Sequence, residues 1–180
     1  RTDDIGRVLV FMGGADNFNM TGKVLSALSV EQLAHLELDV VIGPNFVHKA
    51  EVTNQANTRP NTHIPGTRPH LADLMAKADL AIGAAGGSAW ERCCLGLPSL
   101  IVIIADNQRN VASSLTEIGA AGLLGDADVV SAIDVQNAVE ALMGNSSDFA
   151  RMGRSAALTV DGLGVARVCP AVSPSVTKNG

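Results

Sequence analysis

A chain of 180 residues with a formal net charge of −5 is long enough for one domain that buries roughly 70% of its unfolded surface. The acidic balance and the lack of a Lys/Arg cluster exclude a non-specific nucleic-acid binder, and no run of about 18 apolar residues is present to span a membrane. One Trp, no Tyr and abundant Gly and Ala fit helices packed closely on a parallel sheet better than an all-β sandwich.

In chain order, Arg7–Met12 reads as the first strand and ends in the glycine turn Gly13–Gly14–Ala15–Asp16. Asn17 or Asn19 then caps a helix whose apolar pattern runs through Val24, Leu25 and Leu28 towards Leu33 and Leu36. Leu38–Ile42 is a second strand closed by Gly43–Pro44–Asn45, and a polar segment from Phe46 to Asn57 follows. Asn61–Ile64 is a short strand before the loop Pro65–Pro69, and His70–Ala78 has the apolar spacing of a helix.

The next stretch, Ala78–Gln108, organises the rest. Leu80–Ile82 reads as a buried strand, Gly83–Gly87 as a glycine-rich turn, Ser88 as the opening of a short helix, and Leu100–Ile104 as a second buried strand. The polar loop Ala105–Gln108 then leads into a helix that starts at Asn107 or Gln108 and ends near Ile118. Gly122–Leu124 is the last strand, and Ile133–Met143, Phe149–Ala157 and a segment from Asp161 to Val168 are helices. The expected domain is residues 1–168, with 169–180 a flexible tail.

Strands alternating with helices predict an α/β fold, a doubly wound parallel sheet of Rossmann-like type. Ligands of such sheets sit outside the carboxyl ends of the strands, where Gly13–Gly14, Gly86–Gly87 and Asp106–Gln108 should converge. Glycines admit a close backbone approach, and a helix start offers unpaired amides, so Gly86, Gly87 and Ser88 suit a nucleotide diphosphate. A tight strand-to-helix connection alone would also use glycine. Neither a Walker loop nor the dinucleotide fingerprint is present, because no GK[ST] follows and GAAGGS has the wrong spacing.

The three cysteines, Cys93 and Cys94 adjacent, form neither a disulfide framework nor a zinc site. Neighbours on a helix point about 100° apart and do not chelate one ion, so no metal and no cofactor are expected. Cysteine usage points to the cytoplasm. The chain opens at Arg1 with neither Met nor a signal-peptide pattern, as a fragment would.

The turn GG-x-D after the first strand, then ADLAIGAAGGSAWERCCLGLP and ADNQ, resembles the C-terminal domain of the UDP-2,4-diacetamido-2,4,6-trideoxy-β-L-altropyranose hydrolases of pseudaminic acid and surface polysaccharide biosynthesis. That family is similar in turn to the peptidoglycan N-acetylglucosaminyltransferase, a two-domain GT-B enzyme. The resemblance covers most of Arg7–Gly164 and implies the C-terminal half of a GT-B fold. It implies that Glu91 accepts hydrogen bonds from the ribose hydroxyls of UDP, that Gly13 and Gly14 approach the phosphates, and that Thr67 and Arg68 border the uracil. Asn107 and Gln108 would contact the sugar, with helix capping as the alternative, and Asp16 would contact the sugar or cap a helix. Glu91 could instead pair with Arg92.

The activity implied is hydrolysis of a UDP-sugar, with water attacking the anomeric carbon and UDP departing. The catalytic base of that family lies in an N-terminal domain, so no catalytic residue is expected in this chain, which would pack against that domain and bind UDP with little or no turnover. Two alternatives remain open: a GT-B glycosyltransferase using a UDP-sugar donor, and a non-catalytic nucleotide-binding module.

Overall fold

A computed structural model of the chain describes residues 4–66 and 70–172. The elements are β1 (Arg7–Phe11), α1 (Met20–Ala27), β2 (Glu37–Val41), α2 (Lys49–Thr58), β3 (Thr62–His63), α3 (Ala72–Lys77), β4 (Leu80–Ala84), α4 (Ser88–Cys94) and β5 (Ser99–Ile103). A 3₁₀ turn (Asp106–Gln108) follows, then α5 (Arg109–Glu117), β6 (Gly122–Asp126), α6 (Ala132–Met143), α7 (Ser146–Thr159) and α8 (Gly164–Val172).

The strands form one parallel six-stranded sheet in the order β3-β2-β1-β4-β5-β6, the doubly wound arrangement expected of a Rossmann-like domain. All five residues of β4 and of β5 are buried, because these central strands are covered on both faces. Successive strand side chains point to opposite faces. Val8, Val10, Leu80, Ile82, Leu100 and Val102 therefore join the larger cluster with α1, α2 and α6. The alternate residues Leu9, Ala81, Ile101 and Ile103 face α3, α4 and α5. That second face is rich in small residues, Ala81, Ala85, Ala89, Cys93 and Ala112, so α4 settles close to the sheet.

Four local readings change. Gly83 and Ala84 belong to β4 rather than to the turn, and a Cβ on Gly83 would stand 2.5 Å from the Phe11 carbonyl oxygen and 2.8 Å from Arg92 Nη1. The glycine is there for close approach between strands, not for a bend. Helix α1 stops at Ala27 although Leu33 and Leu36 are as buried as the pattern requires. Buried Arg59 donates to the carbonyls of Leu28, Leu33 and Leu36, which satisfies this non-helical segment and removes the need for a helix. Helix α7 starts early at Ser146, because Asn145 caps it through the Asp148 amide at 3.1 Å. Helix α8 continues past the expected boundary at 168 to Val172, and residues 173–180 lie outside the described residues.

Because the chain winds outward from β1 to β3 and then crosses to β4, the loops after β1 and β4 diverge between the two central strands. This is the switch point where open α/β sheets bind ligands.

Candidate functional site

The β4–α4 turn forms one wall of the switch point. The Ala89 amide donates to the Gly86 carbonyl at 2.9 Å and the Trp90 amide to that of Gly87 at 3.1 Å. These bonds leave the Gly86, Gly87 and Ser88 amides at the open end of the turn. A Cβ on Gly87 would meet no atom within 4 Å, so the approach to the turn is clear. The Gly13–Gly14 turn is equally open on its own account, with Gly13 at φ 88°. It is pinned from behind: the Asn45 amide donates to the Gly14 carbonyl at 2.9 Å, and Gly43 packs directly against both carbonyls.

A cleft of about 680 Å³ lies among the end of β1, the loop after β2, α3 and α4, and its lining includes Ser88 but not Gly13, Gly14, Gly86 or Gly87. Ser88 and Glu91 from α4 present its polar wall, and Leu71 and Met75 part of its apolar one. Glu91 is exposed and lines the cleft, and it makes no ion pair with Arg92 among the described residues. Gly66 also lines the cleft, while Thr67 and Arg68, expected near the uracil, lie outside the described residues.

The polar loop after β5 approaches the same turn. Gln108 Oε1 accepts from the Ile104 amide at 3.2 Å, and its Nε2 is 3.5 Å from where a Cβ on Gly86 would stand. Asn107 is exposed on the 3₁₀ turn. No side-chain hydrogen bond caps α5, so helix capping does not account for either residue. Asp16 takes the capping role, one of the two open to it. Its carboxylate is 3% exposed and accepts from the Met20 amide at 2.8 Å and the Thr21 amide at 2.7 Å. Both oxygens are thus engaged at the start of α1, alongside the Asn19 cap, and the residue closes a helix instead of reaching a sugar.

Arg92 was not foreseen. It is 2% exposed, the largest fully buried side chain, and lies beneath the Ser88 turn. Nη2 donates to the Ala84 carbonyl at 2.9 Å and Nη1 to Ser88 Oγ at 3.3 Å, while Nε has no partner. Burial pulls the guanidinium down to about 10, the nearby Cys93 and Glu91 opposing this only in part. That displacement corresponds to a cost on the order of 3 kcal/mol for keeping the charge inside. The signal in the sequence is the spacing, since Ser88 and Arg92 are four apart and share a helix face. His70 and Cys94 also line the cleft, and neither stood out from spacing.

Comparison with known proteins bears on this arrangement. The sequence profile of the glycosyltransferase family 28 C-terminal domain matches residues 8–163. The chain is 28% identical over 166 residues to the spore coat polysaccharide biosynthesis protein SpsG of Bacillus subtilis, covering 92% of this chain and 49% of that protein. It is 32% identical over 162 residues to a UDP-N-acetylglucosamine–N-acetylmuramyl-(pentapeptide) pyrophosphoryl-undecaprenol N-acetylglucosamine transferase of an Exiguobacterium species, covering 86% of this chain and 44% of that one. Among solved structures, Acinetobacter baumannii MurG superposes with a TM-score of 0.73 at 20% identity, over 96% of this chain and 53% of MurG, a likeness of fold.

The chain therefore spans about half the length of the curated relatives it matches. The expectation of a hydrolase is overturned: the matching family is one of glycosyltransferases, and relatives are named as transferases. The residues quoted for the hydrolase resemblance all lie within the stretch that the glycosyltransferase profile matches, so they could not separate the two. With a parallel sheet of the GT-B type and a profile match over nearly its whole described length, the chain belongs to the glycosyltransferase family 28 C-terminal domain family.

Proposed function

We propose that this chain is the donor-binding half of a GT-B glycosyltransferase that uses a UDP-linked sugar and acts in the synthesis of a surface polysaccharide. The observation that carries the reading is the presence of Ser88 and Glu91, one helical turn apart, on the same cleft at the switch point. A nucleoside diphosphate needs an apolar slot, a diol acceptor and anion donors, and residues suited to each are near this cleft. Leu71 and Met75 suit the flat base, with Gly66 at its edge. The Glu91 carboxylate is a two-oxygen acceptor for the ribose hydroxyls. The amides of Gly86, Gly87 and Ser88, with Gly13 and Gly14 opposite, suit the diphosphate. Asn107 and Gln108, on the turn after β5, are the candidates for contact with the sugar.

In the transfer, an acceptor hydroxyl forms a bond to the anomeric carbon as the bond from that carbon to the diphosphate oxygen breaks. Negative charge grows on the departing UDP, and donors fixed by the fold stabilise it without reorganising. The acceptor site and the base belong, in this reading, to an N-terminal half that packs against this one. Exposed Trp90 and Leu95 beside the cleft offer apolar surface for that contact.

Calorimetric titration of the chain with UDP, UMP, uridine and NAD tests the reading. Binding should be tightest for UDP and fall through UMP to uridine. A preference for NAD, or no response to UDP, refutes it.

A further inference from the structure

We infer that Arg92 is a positioning residue for the anionic part of the ligand, aiming the Ser88 hydroxyl into the cleft and supplying the buried positive charge that a diphosphate balances. The inference rests on the reading of the cleft as a nucleoside diphosphate site.

Buried guanidinium groups are ordinarily paired or saturated. Arg59 meets that rule through five bonds, to the carbonyls of Leu28, Leu33, Leu36 and Pro60 and to Thr62 Oγ1. Even Arg7, only partly buried, is paired with Asp39 and Glu37. Arg92 does not: it makes two hydrogen bonds, leaves Nε without a partner, and has no carboxylate ion pair among the described residues. The sheet itself yields room for it, since Gly83 has no side chain where Nη1 lies. A scaffold role would be served as well by an apolar side chain of similar volume.

The contact with Ser88 gives the charge a direction. A guanidinium has no acceptor, so Ser88 Oγ must accept from Nη1, and the single hydroxyl hydrogen is left for an acceptor elsewhere. Ser88 lines the cleft, where a phosphate oxygen is such an acceptor. An oxygen bound there would stand roughly 6 Å from the guanidinium, close enough for their attraction to change affinity tens-fold, up to about a hundredfold. A neutral ligand gains nothing comparable, so the pair discriminates by charge.

The test is titration of wild type, Arg92→Met, Arg92→Lys and Ser88→Ala with UDP and with uridine, alongside thermal melts. Arg92→Met should weaken UDP tens-fold while changing uridine by less than about threefold, and Arg92→Lys should recover part of the loss. Ser88→Ala should weaken UDP about fivefold or more, and adding it to Arg92→Met should cost less than it does alone. Equal losses for UDP and uridine, or an unchanged UDP affinity, overturn the inference. Should Arg92→Met melt out before titration, Ser88→Ala decides by the same UDP-to-uridine comparison. A wild-type chain that binds neither ligand removes the cleft reading and this inference together, whereas UDP binding indifferent to Arg92 removes this inference alone.

Discussion

Substituting Gly43 by alanine puts the architecture of the switch point under direct stress. The added Cβ would stand 2.2 Å from the Gly13 carbonyl oxygen and 2.5 Å from that of Gly14, both backbone atoms and both far inside contact distance. The β1 turn must shift by roughly 1 Å, at an overpacking cost of about 1–3 kcal/mol. The same shift breaks the bond from the Asn45 amide to the Gly14 carbonyl, which adds about 1 kcal/mol. A loss of about 2–4 kcal/mol in a domain of this size lowers the midpoint of thermal unfolding by roughly 5–15 °C. Two neighbours calibrate the result. Gly13→Ala meets open space but holds φ 88°, so it should cost about 1–2 kcal/mol. Gly14→Ala meets open space without that strain and should cost under about 0.5 kcal/mol. Denaturant melts of the three variants check the order Gly43, Gly13, Gly14. A Gly43→Ala protein as stable as wild type would refute the packing of the β1 turn against the β2 turn.

Asp16→Ala leaves two buried amides of α1 without acceptors and should lower stability by about 2–4 kcal/mol, while Asp16→Asn retains one acceptor and should lose about half as much. UDP affinity of the Asn variant should stay within about twofold of wild type, since a cap and not a ligand contact has been weakened, and a larger change restores a ligand role. Glu91→Ala should weaken UDP about thirtyfold, the loss of hydrogen bonds to a charged acceptor, and abolish any preference over 2′-deoxy-UDP. A preference that survives the substitution refutes the ribose assignment. Burial pushes the Cys93 thiol up, so iodoacetamide should label exposed Cys94 and Cys169 in the folded chain and leave Cys93 until unfolding. UDP should shield Cys94, which lines the cleft, and not Cys169; equal labelling of Cys93 and Cys94, read by peptide mass, counts against the structure.

The sheet was legible because strands buried on both faces write themselves as short apolar runs, Leu80–Ile82 and Leu100–Ile104 among them. The three loops at the carboxyl edge of the sheet were legible for the same reason, since each follows such a run. What stayed hidden depends on partners distant in sequence. Gly83 looked like a turn residue until Phe11 and Arg92 were seen to crowd it. The run from Leu28 to Leu36 kept a helical rhythm, yet Arg59 supplies the donors that let it remain irregular. Asp16 carried its own hint in the amides four and five residues on, and capping was one of the two roles open to it. Arg92 stood beside Glu91 as one more helical charge, and only packing turns it inward. The choice between water and another acceptor had no residue to express it here, because in the proposed reading it is made outside this chain.

The most direct measurement is a crystal structure of the chain with UDP. The account predicts both ribose hydroxyls on the Glu91 carboxylate, the diphosphate against the Gly86–Ser88 amides with Ser88 Oγ in contact, and the base over Leu71 and Met75. UDP seated away from this cleft, or a ribose out of reach of Glu91, would contradict it.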